Sequence, residues 1–303
     1  MPYSFRRSEP VSKGIRRIAR EQIERALDEL NDSSLGMHES VHQARKRCKK
    51  IRALLRLVRP SIEPTYQFEN AWFRDAGRLL APLRDAQSVL ETYDELLCYY
   101  AEPIDRGELI KLRERLVDRR DRLVLDQHNP RELLEQFQTQ LRTATTRIAD
   151  WPVDKLDFSA VAAGLSKSYR RGRHAMPVAY DEQTPDAFHE WRKRVKYHWY
   201  HLRLLKRTWP SVLKKRRKAA SKLADLLGDD HDLSILDDIL RNEFADEVDT
   251  PMLQAATGLI LGRCRDLRRH ARSIGERLYA DKPKSLARRL ERYWNTWRDD
   301  EIG

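Results

Sequence analysis

The chain has 303 residues, and its 59 Lys and Arg side chains exceed its 47 Asp and Glu side chains by 12. Charged residues make up 35% of the sequence, and no apolar run reaches the roughly 18 residues that a membrane-spanning helix needs. This composition excludes a helical membrane protein, and seven Trp, eleven Tyr and seven Phe argue against a disordered chain. The excess of positive charge indicates a polyanionic partner, although a solvated basic surface would produce the same balance.

The N-terminal segment MPYSFRRSEP lacks the apolar stretch of a secretory signal. Cys48, Cys98 and Cys264 are odd in number and far apart, so they indicate neither a disulfide framework nor a metal-binding cluster. We therefore expect a cytoplasmic protein in a reducing compartment.

Apolar residues recur at three- and four-residue spacing along almost the whole chain, and no segment alternates in the manner of a strand. Breaks between helices are predicted at Asn31–Gly36, Arg59–Pro64, Pro82, Glu102–Gly107, Asn129–Pro130, Trp151–Asp157, Pro177–Pro185, Pro210, Gly228, Asp249–Pro251 and Asp281–Pro283. About ten helical segments result, roughly five on each side of Trp151. The sequence predicts an all-α fold.

The two halves of the chain resemble each other. A shift of 147 positions places Val41–Leu57 over Phe188–Leu204, and the same shift brings Asp85 onto Asp232. A shift of 150 positions aligns further helices, including Gly14 with Gly164. Self-similarity of this length predicts two equivalent helical bundles, residues 1–150 and 151–303.

Each half carries a row of cations along one helix face, at 100° per residue. The first row consists of His42, Arg45, Lys49, Arg52 and Arg56. The second row consists of His189, Arg192, Lys196 and Arg203, with Trp199 at the position that corresponds to Arg52. Most charged helix faces are solvated and mix both signs, whereas these rows contain no acid and recur in both halves. Because like charges in a row repel one another, we interpret the rows as a binding surface for a polyanion.

Other residues, all of them cations except Tyr169, are candidates to extend these rows. They are Lys46 and Lys193 beside the rows, Arg16, Arg20, Arg74, Arg78 and Arg113 in the first half, and Tyr169, Arg170, Arg173, Lys222 and Arg263 in the second half. The run Lys214–Lys218 is interpreted as an exposed basic patch. Arg47 and Arg194 fall in the apolar sectors, where the sequence offers only snorkelling at the sector edge as an explanation.

The segments VHQARKRCKKIRALLRLVRP and FHEWRKRVKYHWYHLRLL resemble the two histidine-containing helices of the CHAD family, the conserved histidine α-helical domain. LLAPLRDAQSVL, LLGDDHDLSIL and GLSKSYRRGR are similar to further family segments, and the resemblance extends from about Val11 to Trp297. It implies two four-helix bundles related by a pseudo-twofold axis, with a basic central channel that binds inorganic polyphosphate. Trp199 stands where the family usually has Arg, and Ala81 replaces a Gly that Gly228 retains.

The resemblance also implies association with polyphosphate granules. Some family members are fused to triphosphate-hydrolysing CYTH domains, and because no CYTH-like segment is recognisable here we expect a stand-alone binder without a cofactor. Recruitment of a partner enzyme of polyphosphate metabolism is left open. Arg offers a bidentate fork and Lys a compact charge to phosphate, while His42 and His189 would act as neutral donors or as cations.

Two other functions are weighed against this one. Asp229–Asp232 (DDHD) raises the alternative of a metal-dependent phosphohydrolase, but we interpret these acids as an N-terminal helix cap after Gly228. A metal bound by His42 and His189 is disfavoured by the surrounding cations, and no phosphate-binding loop or catalytic triad is recognisable, so we expect a protein without enzymatic activity. Nucleic-acid binding would follow weakly from the net charge, without a recognition motif to support it.

Overall fold

The computed structural model describes residues 3–100, 106–125, 130–244 and 250–299, and within these ranges it contains eleven α-helices and no strand. The helices are α1 (Val11–Asn31), α2 (Met37–Val58), α3 (Glu63–Leu79), α4 (Pro82–Tyr99), α5 (Arg106–Leu125), α6 (Pro130–Arg147), α7 (Phe158–Glu182), α8 (Pro185–Leu204), α9 (Pro210–Glu243), α10 (Thr250–Leu278) and α11 (Pro283–Asp299). The predicted all-α class is confirmed. None of the described helices is both long enough and apolar enough to cross a bilayer.

Two predicted breaks are wrong. Helix α9 continues through Gly228, because a glycine lowers helix propensity by only about 1 kcal/mol and Gly228 is packed against the Arg192 side chain of α8. Helix α7 likewise continues through Pro177, which lies on its exposed face where water can reach the carbonyl that loses its helical donor. This helix ends at Gln183, which adopts a left-handed conformation with φ of 56°.

The two halves differ in helix number because of Pro82. This proline begins a new helix, α4, whereas the corresponding position in the second half lies inside the continuous α9. The first half therefore contains six of the described α-helices and the second half five. The breaks predicted at Glu102–Gly107, Asn129–Pro130 and Asp249–Pro251 lie partly outside the described residues.

The helices of each half pack in sequence, and the two halves share one core. In the first half α2 packs between α1 and α3, and in the second half α8 packs between α7 and α9. Helix α2 also packs against α7 and α8, while α4 packs against α9, so that the buried apolar side chains form a single cluster through both halves. The predicted division into two four-helix bundles stays a prediction.

The halves approach each other closely where α7 packs against α2. A Cβ atom on Gly164 would lie 1.7 Å from the backbone oxygen of Leu57, so only a glycine allows this contact. Nearby, Nε2 of His201 donates a hydrogen bond of 2.9 Å to the carbonyl oxygen of Ala53. Backbone contact and a buried hydrogen bond thus fix the position of α2 against the second half.

The N-terminal segment ties the same elements together. The Phe5 amide donates a hydrogen bond of 3.1 Å to the Leu204 carbonyl at the end of α8. The Tyr3 hydroxyl donates one of 2.8 Å to the Lys50 carbonyl in α2, and the Phe5 ring meets Trp294 of α11 edge-on. Residues of the extreme N-terminal region therefore contact both halves.

Two histidines of α8 are held neutral in the core. Burial lowers the pKa of His201 to about 4 and lowers that of His198 well below its ordinary value. The His198 ring packs against Tyr169, and neither ring nitrogen has a hydrogen-bond partner within the described part of the chain. Because the unfolded state binds protons on both histidines more readily, acid favours unfolding.

We predict that Gly164→Ala lowers the free energy of unfolding by at least about 3 kcal/mol, because the new methyl group overlaps backbone that no side-chain rotation can move. Gly258→Ala is the matched control, since a Cβ there meets nothing within 4 Å and alanine is the better helix former. Urea unfolding monitored by circular dichroism measures both. Equal stability of the two variants would contradict the close crossing of α2 and α7.

We also predict a pH dependence of stability. A folded pKa of about 4 for His201 against an ordinary 6.5 corresponds to a loss of roughly 3 kcal/mol as the pH falls from 7 to 4. His198→Leu removes a second buried neutral histidine and should flatten the curve over the same interval. Urea titrations of both proteins at several pH values test this, and parallel curves would show that His198 is not a source of the dependence.

Candidate polyanion-binding groove

A groove with a volume of about 490 Å³ opens between helices of both halves, and we call it the central groove. It is lined by His42, Arg45, Lys49, Ala86, Ser88, Val89, Thr92, Arg119, Leu123, Arg192, His231, Asp232, Ile235 and Ile239. The first three belong to α2 and Arg192 to α8, so the basic rows of the two halves meet at this site. Asp232 is the acidic residue in this lining. The Lys and Arg residues are Arg45, Lys49, Arg119 and Arg192.

Lys49 shows how strongly these cations affect one another. Its side chain is accessible to solvent, yet it lies in a concave groove and is surrounded by protein. Burial and the charges of Arg192, Arg45 and Lys196 lower the pKa of Lys49 to about 8, and Asp232 opposes this effect. Burial and the charge of Arg192 also lower the pKa of Lys196, although Asp225 lies 3.7 Å from its ammonium group. Cations related by the repeat are therefore close enough to repel one another.

A pair of histidines borders these cations. The rings of His189 on α8 and His231 on α9 have centroids 3.8 Å apart. Burial lowers the pKa of each histidine to about 4, and the positive charges of Lys193 and Arg192 contribute to this shift for both rings. Both rings are therefore neutral at pH 7 and present nitrogen atoms as donors or acceptors. His42, at the start of the first row, is exposed and lines the groove.

The far ends of the two rows contact amides and aromatic rings. Arg52 donates a hydrogen bond of 3.2 Å to the side-chain oxygen of Asn70. The Arg56 guanidinium lies 4.1 Å from the centroid of Tyr197, and that of Arg203 lies 4.8 Å from the centroid of Trp199. Trp199, at the position that corresponds to Arg52, thus contacts the Arg203 guanidinium through its ring. Since these partners are uncharged, the positive charge of the rows is preserved.

None of the additional candidates lines the central groove, and they differ in their partners. The positive charge of Lys46 lies close enough to Lys196 to lower the pKa of the Lys196 ammonium group. Lys193 makes an ion pair of 2.5 Å with Glu190, and Arg113 makes a bidentate pair with Asp94 at 2.6 and 2.9 Å. Arg263 lies 3.8 Å from the Tyr99 ring centroid and lines a small cavity together with Glu95, Asp229 and Asp232.

The remaining candidates lie outside the lining of the central groove. Arg16 contacts Asp154 at 2.5 Å and the Trp151 carbonyl at 2.7 Å, and Arg74 pairs with Asp75 at 2.8 Å. The exposed candidates on the outer surface are Arg20, Arg78, Arg170, Arg173 and Lys222. Tyr169 is buried in the core, where its hydroxyl donates a hydrogen bond of 2.9 Å to the Leu278 carbonyl.

The structure corrects the interpretation of the DDHD segment. Asp229–Asp232 lies in the middle of α9 and does not cap a helix N-terminus. Asp230 is almost fully buried and accepts hydrogen bonds of 2.7 and 3.3 Å from Arg268, whereas His231 and Asp232 line the central groove. No group of three or more potential metal-ligating side chains occurs among the residues that the structure describes.

Sequence reasoning missed some of the groove residues. Arg119 reaches the groove from α5 and also pairs with Glu243 at 2.6 Å, which only the packing of distant helices reveals. The repeat did contain a signal for Asp232, because it aligns with Asp85, although the side chain of Asp85 lies outside the described residues. Leu123, Ile235 and Ile239 form an apolar wall of the groove, and nothing in the sequence pattern distinguished them from core residues.

Arg47 and Arg194, which the sequence left without a structural role, both form ion pairs. Arg47 donates hydrogen bonds to Glu29 (3.0 Å from Nε) and to Gln22 (3.2 Å), so it joins α2 to α1 behind the cation row. Arg194 pairs with Glu190 one turn earlier in α8. These arginines support the helices of the groove from the side away from it.

We predict that Lys49→Met raises Tm at pH 7 and low salt by about 2 °C or more, because it removes a cation from a group of like charges. The folded pKa of about 8 lies below the ordinary 10.5, so the gain should shrink as the pH rises from 8 towards 10 and wild-type Lys49 loses its proton. Lys155→Met, at an exposed position away from the groove, is the control. A Tm at pH 7 equal to or below that of the wild type would contradict mutual repulsion in the groove.

The geometry agrees with a comparison against protein-family models. The model of the CHAD domain matches residues 17–241, a segment that includes both cation rows and all residues that line the central groove. No curated protein matches the chain. Because the match covers well over half of the sequence, the chain belongs to the CHAD domain family.

Proposed function

We propose that the central groove binds inorganic polyphosphate and does not hydrolyse it. The observation that carries this proposal is the convergence of Arg45 and Lys49 from the first half with Arg192 from the second half in one groove. Lys196 lies outside the lining but close enough for its charge to lower the pKa of Lys49. Their mutual repulsion is present in the unliganded protein, and a bound polyanion relieves it. Some members of the CHAD family bind polyphosphate, and membership supports the same ligand here.

The composition of the groove favours this ligand over other polyanions. Polyphosphate carries about one charge per phosphate along a flexible chain without bases, so it requires cationic and hydrogen-bonding donors in a row. Arg119 and Ser88 supply further donors in the groove, whereas the Thr92 hydroxyl donates to the Ser88 carbonyl at 2.8 Å. The walls contributed by Leu123, Ile235 and Ile239 are aliphatic, and such side chains offer no stacking platform for nucleic-acid bases.

Binding without hydrolysis is supported by the surroundings of the DDHD segment. Asp230 is engaged by Arg268, and the cations Lys49 and Arg192 next to His231 would repel a divalent metal. In this proposal the protein holds long chains in the cytoplasm and associates with polyphosphate granules through them.

The proposal predicts that replacing Arg45, Lys49, Arg192 and Lys196 together by Ala weakens binding of long-chain polyphosphate at least about 100-fold, since charge-assisted contacts contribute about 1.5–3 kcal/mol each. The dependence of log K on log salt concentration should become shallower by about 3. The matched control replaces four exposed lysines away from the groove, Lys155, Lys214, Lys215 and Lys218, by Ala. Calorimetric titration at two salt concentrations measures both variants.

Three outcomes would overturn the proposal. A folded groove variant that binds as tightly as the control would exclude the central groove as the site. Preference for duplex DNA at equal phosphate concentration would favour a nucleic-acid-binding protein. Release of phosphate from polyphosphate by the wild type, abolished by Asp229→Asn or Asp232→Asn, would establish a hydrolase.

A further inference from the structure

A second basic cavity lies on the outer side of the protein. Helices α7 and α11, with Pro60 beside them, line an open cleft of about 370 Å³ that shares no lining residue with the central groove, and we call it the α7–α11 cleft. Its cations are Lys167 and Arg170 from α7 and Lys284 and Arg288 from α11, and Glu291 is its acid. The cleft therefore carries a net charge of about +3, and its volume lies in the range of small-molecule sites.

The walls of the α7–α11 cleft suit a compact anion. Ala162, Ala163 and Ala287 are small and leave room between the two helices, and Ser166 adds a hydroxyl donor. Two guanidinium forks and two ammonium groups around one cavity exceed what a single carboxylate requires. A ligand with several negative charges in a small volume, such as condensed phosphate, fits this set of donors.

The cations of the cleft are available to a ligand. Arg170, Lys284 and Arg288 are exposed and make no ion pair with any residue that the structure describes. Lys167 is close enough to Glu63 to lower the pKa of that carboxyl, but Glu63 is already engaged by Arg59 at 2.7 Å. Solvent alone thus balances most of the positive charge in the cleft.

The corresponding part of the first half carries less positive charge, although Arg20 and Arg131 correspond to Arg170 and Lys284. Helices α1 and α6 pack together as α7 and α11 do, and alignment of Pro130 with Pro283 at the two helix starts places Glu135 opposite Arg288. Arg17, which corresponds to Lys167, is engaged by Glu9 and Glu21. Three of the four cations of the cleft therefore have basic counterparts in the first half, and the second half differs in having Arg288 in place of an acid.

We propose that the α7–α11 cleft is a second anion-binding site, which takes a short condensed phosphate or the end of a polyphosphate chain. Since the site uses no residue of the central groove, occupation of both would let one molecule hold two phosphate chains. The site does not depend on ligand binding in the central groove.

The test uses tripolyphosphate as the probe and a protein whose central groove carries the four Ala substitutions at Arg45, Lys49, Arg192 and Lys196. We expect calorimetry to show one remaining salt-sensitive site. Lys284→Ala combined with Arg288→Glu should weaken this site at least about 10-fold, and Glu291→Gln should strengthen it, because the acid opposes the ligand. The charge-matched control is Lys282→Ala combined with Arg292→Glu, two exposed positions of the same region outside the cleft.

The outcomes separate this proposal from the proposed function. Equal binding by the cleft variant and the control would overturn the second site, whatever the central groove binds. Retained tripolyphosphate binding in a protein that never binds long chains through the groove would support the cleft while removing the proposed function. If the cleft variant loses long-chain polyphosphate but retains tripolyphosphate, the assignment to short phosphate is wrong.

Discussion

Two helix faces of the same charge are held together in the central groove by the apolar core behind them. Helix α2 is packed closely on the second half, because its backbone at Leu57 lies directly against Gly164, and its Ala53 carbonyl accepts a hydrogen bond from His201. The shared core therefore offsets the repulsion among Lys49, Arg192 and their neighbours. Pre-assembled in this way, the cations need no rearrangement to receive an anion.

Acidic and uncharged partners are distributed unequally around the basic helices. Away from the rows, carboxylates pair with arginines that are buried or partly buried, as Glu29 does with Arg47 and Asp230 does with Arg268. Along the rows, arginines rest on Tyr197 and Trp199, which hold the guanidinium groups in place without cancelling their charge. The core is thus stabilised by ion pairs while the groove keeps its positive potential.

The helical class and the two cation rows could be predicted from the sequence, because both depend on residue spacing along single helices. The continuity of α9 through Gly228 could not, since packing against Arg192 outweighs the low helix propensity of glycine. Arg119 and His231 reach the groove only through the packing of α5 and α9. Tyr169 is the reverse case. Its position beside basic residues in the sequence suggested a ligand contact, but the fold buries its side chain in the core.

Repeat-related residues such as Lys49 and Lys196 lie close together, so the two halves present similar cations to one ligand. Cations from both halves line the central groove, as Arg45 and Arg192 do, although Arg119 and His231 extend the lining without repeat-related partners in it. Nucleic acids and peptides have a chemical direction. A linear chain of identical phosphate units has none. Under the proposed function such a chain would make the same kind of contacts in either direction, and a register shift by one unit would leave its contacts unchanged.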